Sequence, residues 1–169
     1  TNEDELINAD VREGHVALLV GETMGHLGQS ALLAEVFNRV EGDAPQVDLA
    51  AEKLHGDFIR DNYEWITACL DLSDGGLALA AFEMAEASDV GVQIDTDDTQ
   101  ALFGEDQARY LVACNFDQAE ALMLKAGQAG VTIASVGKFT GSDVSFGNST
   151  ATLEELQTLY RSSFADTFA

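Results

Sequence analysis

The run Leu70-Asp71-Leu72-Ser73-Asp74-Gly75-Gly76-Leu77 restricts the fold more than any other stretch of the chain. Residues that suit a strand, Ile66 to Leu72, stop at an acidic turn. Two glycines redirect the backbone, and Leu77, Ala80, Ala81, Met84 and Ala85 then recur at helical spacing. A strand that feeds straight into a helix N-terminus points to layered α/β packing. The free N–H groups and dipole of such an end also suit an anion, so the turn is a candidate phosphate cradle.

The rest of the chain alternates in the same way. His15 to Val20 reads as a buried strand, Gly21 to Gly28 as a glycine-bearing loop. Leu32, Leu33, Val36, Phe37 and Val40 predict an amphipathic helix over Ser30–Val40, ended by Gly42-Asp43-Ala44-Pro45. A second helical stretch covers Val47–Trp65, with Gly56 weakening it. Val90–Ile94, Tyr110–Cys114 and Val131–Gly137 suit strands, Phe116–Gln128 a helix closed by Gly130. Asp95, Asp97 and Asp98 read as a solvated turn, since the glycine and closing glutamate of a calcium loop are missing. Val144-Ser145-Phe146 is expected to form a hairpin with the strand before Gly141-Ser142. Thr152 and Glu155 form a capping box that opens a terminal helix. The expected fold is one α/β domain over 1–169, with a mixed β-sheet, packed helices and a lead-in of about 14 residues.

The 169 residues carry 30 acids against eight bases, a net charge of −22. That balance excludes nucleic acid or an anionic membrane as a main partner, because phosphate backbones reward clustered Lys and Arg. An acidic, solubilising shell is the simpler reading. No apolar run approaches the ~18 residues of a membrane span, so a soluble, cytoplasmic protein is expected. Cys69 and Cys114 stand far apart in apolar stretches and read as buried free thiols. The chain begins at Thr1 without methionine, and a piece of something larger is expected.

Three constellations carry polar chemistry. Gly28-Gln29-Ser30 follows a glycine loop, where Gly28 gives backbone freedom and Ser30 either caps a helix or contacts an anion. His26 in this loop lacks a local carboxylate and reads as a surface histidine. In the opening motif, Asp71 or Asp74 offers Mg²⁺ a carboxylate, or Asp74 orders the Gly75-Gly76 turn through backbone N–H groups, which is the preferred role. In Phe103-Gly104-Glu105-Asp106-Gln107-Ala108-Arg109-Tyr110, Glu105 and Gln107 suit hydroxyl or amide groups of a ligand. Arg109 either joins them or neutralises its acidic surroundings in a surface pair. No Ser-His-Asp order, Walker A sequence or G-x-G-x-x-G is present. Catalytic residues and metal ligands are therefore not assigned.

Together the segments Thr23 with Leu27-Gly28-Gln29-Ser30, Val47 to Lys53 with Gly56-Asp57-Phe58, Asp71 to Leu77, and Phe103 to Gln107 with Arg109-Tyr110 resemble the C-terminal-type domain of the aminoimidazole ribonucleotide synthetase superfamily. The likeness runs from about Val16 to Phe168. It is greatest to the last such domain of the superfamily's purine-biosynthetic, amidine-forming ligases. What the resemblance implies is a role in converting formylglycinamide ribonucleotide to the amidine with ATP, Mg²⁺ and glutamine-derived ammonia. It implies as partners the other domains of the synthase and a glutaminase component. The chain alone is then inactive, and a homodimer of the isolated domain is possible. Gly28, Gln29, Ser30, Asp74, Gly75, Gly76, Glu105, Gln107 and Arg109 become candidate nucleotide or substrate contacts. Asp106 stands where the superfamily's substrate-reading loop has serine, and Ala108 where glycine is more usual. Those departures favour a structural or auxiliary nucleotide-site role for the loop. The alternatives are the equivalent domain of aminoimidazole ribonucleotide synthetase or of selenophosphate synthetase, and a free-standing binding module of the same fold.

Overall fold

The computed structural model describes residues 10–167, and side chains up to Ser163. Its backbone follows the alternation read from the sequence. Strands β1 (Val16–Val20), β2 (Ala68–Asp71), β3 (Val92–Ile94), β4 (Tyr110–Cys114), β5 (Ile133–Phe139), β6 (Asp143–Phe146) and β7 (Ser149–Thr152) form one sheet in the order β2-β4-β1-β5-β3-β6-β7. Every neighbouring pair is antiparallel except β3 and β6, which run parallel, so the sheet is mixed.

Alternation along β1 sends Ala17 and Leu19 to one face and Leu18 and Val20 to the other. Each face is covered, giving three layers. On the first, α2 (Gly76–Ser88), α3 (Thr99–Phe103) and α5 (Leu153–Thr167) contribute Leu77, Ala81, Met84, Leu102 and Leu153 to a core with Leu111, Ile94 and Phe139. On the second, α1 (Leu49–Asp61) and α4 (Phe116–Ala129) pack Phe58, Ile59, Leu122 and Ala126 on Val112 and Cys114. No helix of the described residues is long and apolar enough to cross a membrane.

Local signals place most helix ends. Asp48 caps α1 by accepting the N–H groups of Ala50 and Ala51. Gly130 closes α4 at φ 71°, and Thr152 and Glu155 exchange the two bonds of the capping box. Gly56 does not interrupt α1, which continues to Asp61. Asp98, read as part of a solvated turn, instead caps the short helix α3 through the N–H of Ala101.

Two expectations fail. The hairpin expected between Val144–Phe146 and the preceding strand does not form: β6 lies between β3 and β7, and its hairpin partner is β7. β5 is already flanked by β1 and β3, so both of its edges are taken. The helix expected over Ser30–Val40 is reduced to one π-turn at Leu32–Val36, with no regular element from there to α1.

Candidate functional site

The three polar constellations converge where the β1–π-turn loop, the N-terminus of α2 and the loop between α3 and β4 meet. Glu105 joins them. One oxygen of its carboxylate accepts the N–H of Ala31 at 2.8 Å and that of Gly75 at 2.9 Å, while its own N–H donates to the carbonyl of His26 at 2.8 Å. A carboxylate thus sits at the helix start that the sequence marks for an anion.

This corrects the role of Asp74. The Gly75 N–H goes to Glu105 and that of Gly76 to the carbonyl of Ser73, while Asp74 is exposed. A donor at a helix start pairs with whichever acceptor the tertiary fold brings nearest, and here it comes from thirty residues further along the chain. Gly76 is needed twice over: its φ is +59°, and a Cβ would lie 2.5 Å from the Gly104 carbonyl oxygen.

Asp106, beside it, is buried and fastens the preceding loop. Its carboxylate accepts the N–H groups of Met24 at 3.0 Å, Gly25 at 2.9 Å and His26 at 3.1 Å. Arg109 lies behind it, 1% exposed, with Nη2 at 3.8 Å from the Asp106 carboxylate. The guanidinium also donates to Thr23 Oγ1 at 3.2 Å and to the Gly104 carbonyl. Burial pushes the Arg109 pKa down and Asp106 partly offsets it. Arg109 is therefore an internal strut, shielded from solvent, and not the surface pair entertained from the sequence.

On the α1 side, Glu52 accepts the N–H of Ala108 and the hydroxyl of Tyr110, both at 2.9 Å. His55 Nδ1 donates to the Ala108 carbonyl at 2.7 Å. Burial first, and the Glu52 carboxylate second, push the Tyr110 pKa up to about 12. Ala108 holds φ +58°, the left-handed conformation that explains why glycine is usual there.

Gly28 has a different reason from the one expected. Its own φ is not positive; the positive φ of 60° belongs to exposed Gln29. A Cβ on Gly28 would run into the Asp43 carbonyl oxygen, which also accepts from His26 Nε2 at 2.7 Å. His26 is half-buried and tied to that loop, where the sequence suggested a surface histidine. Ser30 is fully buried, and its Oγ accepts the Leu33 N–H at 3.3 Å, the capping alternative.

A cavity of ≈ 720 Å³ opens between this loop cluster and α1, lined by His26, Asp48, His55, Gln107, Ala108 and Thr132 among others. Of the nine candidate contact residues only Gln107, exposed, lines it. Asp106, Glu52 and Thr23 were not among the candidates. An acid three residues before an arginine is the one local hint of the Asp106–Arg109 contact; nothing local signals Glu52, whose partners lie 56 and 58 residues away.

A model of the family described as AIR synthase related protein, C-terminal domain, matches residues 12–147. The chain is 69% identical over 166 residues to the phosphoribosylformylglycinamidine synthase subunit PurL of Ruegeria sp. (strain TM1040), spanning 98% of this chain and 23% of that protein. It is 68% identical to PurL of Roseobacter denitrificans over the same shares. Among solved structures, Thermotoga maritima PurL complexed with FGAR superposes with a TM-score of 0.75 at 18% identity, covering 91% of this chain and 30% of that one. The same protein complexed with ATP gives 0.71 at 18% identity, covering 91% and 27%. A thiamine-monophosphate kinase from Stenotrophomonas maltophilia gives 0.64 at 19% identity, covering 89% and 56%. The chain thus spans about a quarter of the length of the curated relatives it matches.

Proposed function

The chain belongs to the AIR synthase related protein C-terminal-domain family, and from that membership we propose that it serves as the last C-terminal-type domain of a phosphoribosylformylglycinamidine synthase. That enzyme is the ATP-dependent C–N ligase that makes formylglycinamidine ribonucleotide from formylglycinamide ribonucleotide and glutamine-derived ammonia. The observation that carries the reading is 69% identity to a PurL subunit along 98% of the chain. The fold by itself does not choose this activity, since a kinase shares it. In this reading the domain works in the cytoplasm, alongside the other domains of the synthase and a glutaminase component that supplies ammonia.

ATP and Mg²⁺ supply phosphoryl activation of the substrate when bound to such an enzyme. The turns of this chain do not fit them unaided. The converging N–H groups of Ala31 and Gly75 already hold the Glu105 carboxylate, Arg109 is committed inside, and no group of three or more His, Cys, Asp or Glu is placed to hold a metal among the described residues. Gly28–Ser30, Gly75, Gly76, Glu105 and Arg109 therefore act as scaffold: they lock the loops whose outer surface carries Gln107 and the cavity. Any contact to a nucleotide or substrate from this domain falls to Gln107 and its neighbours, whose hydrogen-bonding groups suit amides and hydroxyls.

The test is an assay of ATP-dependent amidine formation by the complete polypeptide, with formylglycinamide ribonucleotide, ammonia and Mg²⁺, beside the 169-residue chain. Activity is expected in the former and no ATP turnover in the latter. Sustained ATP hydrolysis by the chain alone, or an inactive complete polypeptide, would overturn the proposal.

A further inference from the structure

His55 is 7% exposed on α1, and its Nδ1 donates to the Ala108 carbonyl. That carbonyl fixes the tautomer, so Nε2 is left as a lone pair. Nothing in the described chain donates to Nε2. No fully buried side-chain nitrogen or oxygen of the described residues lacks a partner, so Nε2 reaches open space. That space is the ≈ 720 Å³ cavity, which His55 lines. An acceptor held in a buried ring and left without a donor is half of a binding site.

The rest of the wall selects the charge of the donor. Glu22 and Asp48 line the cavity as exposed carboxylates, and Asp48 spends only Oδ1 on the cap of α1. Gly21 packs against the Ala108 carbonyl, so Glu22, the next residue, begins beside the His55 anchor. Gly130, which closes α4, is also on the wall, and a helix C-terminus carries the negative end of its dipole. No Lys or Arg is among the described residues that line the cavity. We propose that it binds a small organic cation of the amidinium class, whose N–H donates to His55 Nε2 while Glu22 and Asp48 balance the charge. The proposal rests on the reading above that ligand contact from this domain falls to this cavity, and it names the chemistry taken there. A metal ion fits less well, since no three His, Cys, Asp or Glu among the described residues are placed to hold one. A flat, weakly hydrated cation loses less on leaving water than an ammonium does. An apolar body attached to it would lie on Met24, Leu27, Pro45 and Leu54.

Isothermal titration of the complete polypeptide with benzamidine tests this, with benzamide and benzoate as its neutral and anionic counterparts. Saturable benzamidine binding with a Kd of about 1 mM or below is expected. Benzamide should bind at least about tenfold more weakly, and benzoate should not saturate. His55→Asn keeps an amide N–H near the place of Nδ1 and deletes the Nε2 acceptor, so it should weaken benzamidine at least about tenfold. A second readout needs no variant to fold: diethyl pyrocarbonate modifies an unprotonated imidazole nitrogen, and peptide mass spectrometry locates the label. At ten times its Kd, benzamidine should slow the labelling of His55 about tenfold. Absence of saturable binding, equal affinity for benzamide or benzoate, or binding that leaves the labelling of His55 unchanged would overturn the proposal. Amidine formation measured on the same preparation separates the two claims. Activity without benzamidine binding removes the cation site alone; binding without activity removes the assigned reaction alone.

Discussion

Replacing Asp106 by alanine should cost about 4 kcal/mol of stability, and two routes reach that figure. The carboxylate accepts three backbone N–H groups between 2.9 and 3.1 Å, and charge-assisted bonds of this kind contribute about 1.5 kcal/mol each, or about 4.5 together. Alternatively, the substitution removes the acid 3.8 Å from a guanidinium that is 1% exposed, and breaking a buried pair from one side costs about 3–5 kcal/mol. The two routes describe the same loss and do not add. With a urea dependence of about 2 kcal/mol per molar, the unfolding midpoint should fall by about 2 M. The melting temperature should fall by about 8–16 °C. Asp106→Asn keeps one oxygen for Met24 and Gly25 but turns an amide toward the His26 N–H, and should cost about 2 kcal/mol. Adding Arg109→Met to Asp106→Ala should recover about 1–3 kcal/mol relative to the sum of the single variants, because no charge is then left alone. Urea titrations followed by far-UV circular dichroism measure the wild type and all four variants. A loss below about 1 kcal/mol for Asp106→Ala, or strict additivity with Arg109→Met, would refute the view that this pair fastens the loop.

Ala108 sits at φ +58°, so Ala108→Gly should leave the urea midpoint unchanged or raise it, within about 0.5 kcal/mol, because relieved strain offsets the freer unfolded chain. Ala108→Val should cost more than about 2 kcal/mol at the same position. Burial, and then the Arg12 charge, hold the His15 pKa below its ordinary 6.5, so the unfolded chain takes up that proton first. Stability should therefore fall as pH drops below about 6.5, and the difference between wild type and His15→Gln midpoints should change through that window and level off above it. Burial pushes the Cys69 thiol up to about 12, aided by Asp71, and that of Cys114 up to about 11. Neither should react with a disulfide reagent at pH 8 in the folded chain, and both should react in urea.

The elements were legible where the signal was local. The apolar runs of β1 and β4, the small-residue stripe of α2, the Gly130 stop and the Thr152–Glu155 box each depend on residues within one or two turns of each other. The family was legible for a related reason: four motifs keep their order along the chain, and order needs no knowledge of contacts. The candidate site was read only as a neighbourhood. Glu105 does meet Gly75, and also Ala31 directly after Gly28–Ser30, but as a closed scaffold in which an acid from the chain takes the place expected for an anion.

What only the tertiary structure decided is the partner of each group. Glu105 reaches Ala31 across 74 residues, Asp106 holds Met24 across 82, and Glu52 reaches Tyr110 across 58. β6 joins β3 in parallel, although β5 lies nearer in sequence. The stripe at 32–40 shows the converse, a local pattern whose helix stays unfinished with its apolar face half seated. Spacing along a chain records which face of an element is apolar, because periodicity is a property of the backbone. Which donor meets which acceptor depends on how whole elements pack, and that geometry exists only once the sheet is assembled.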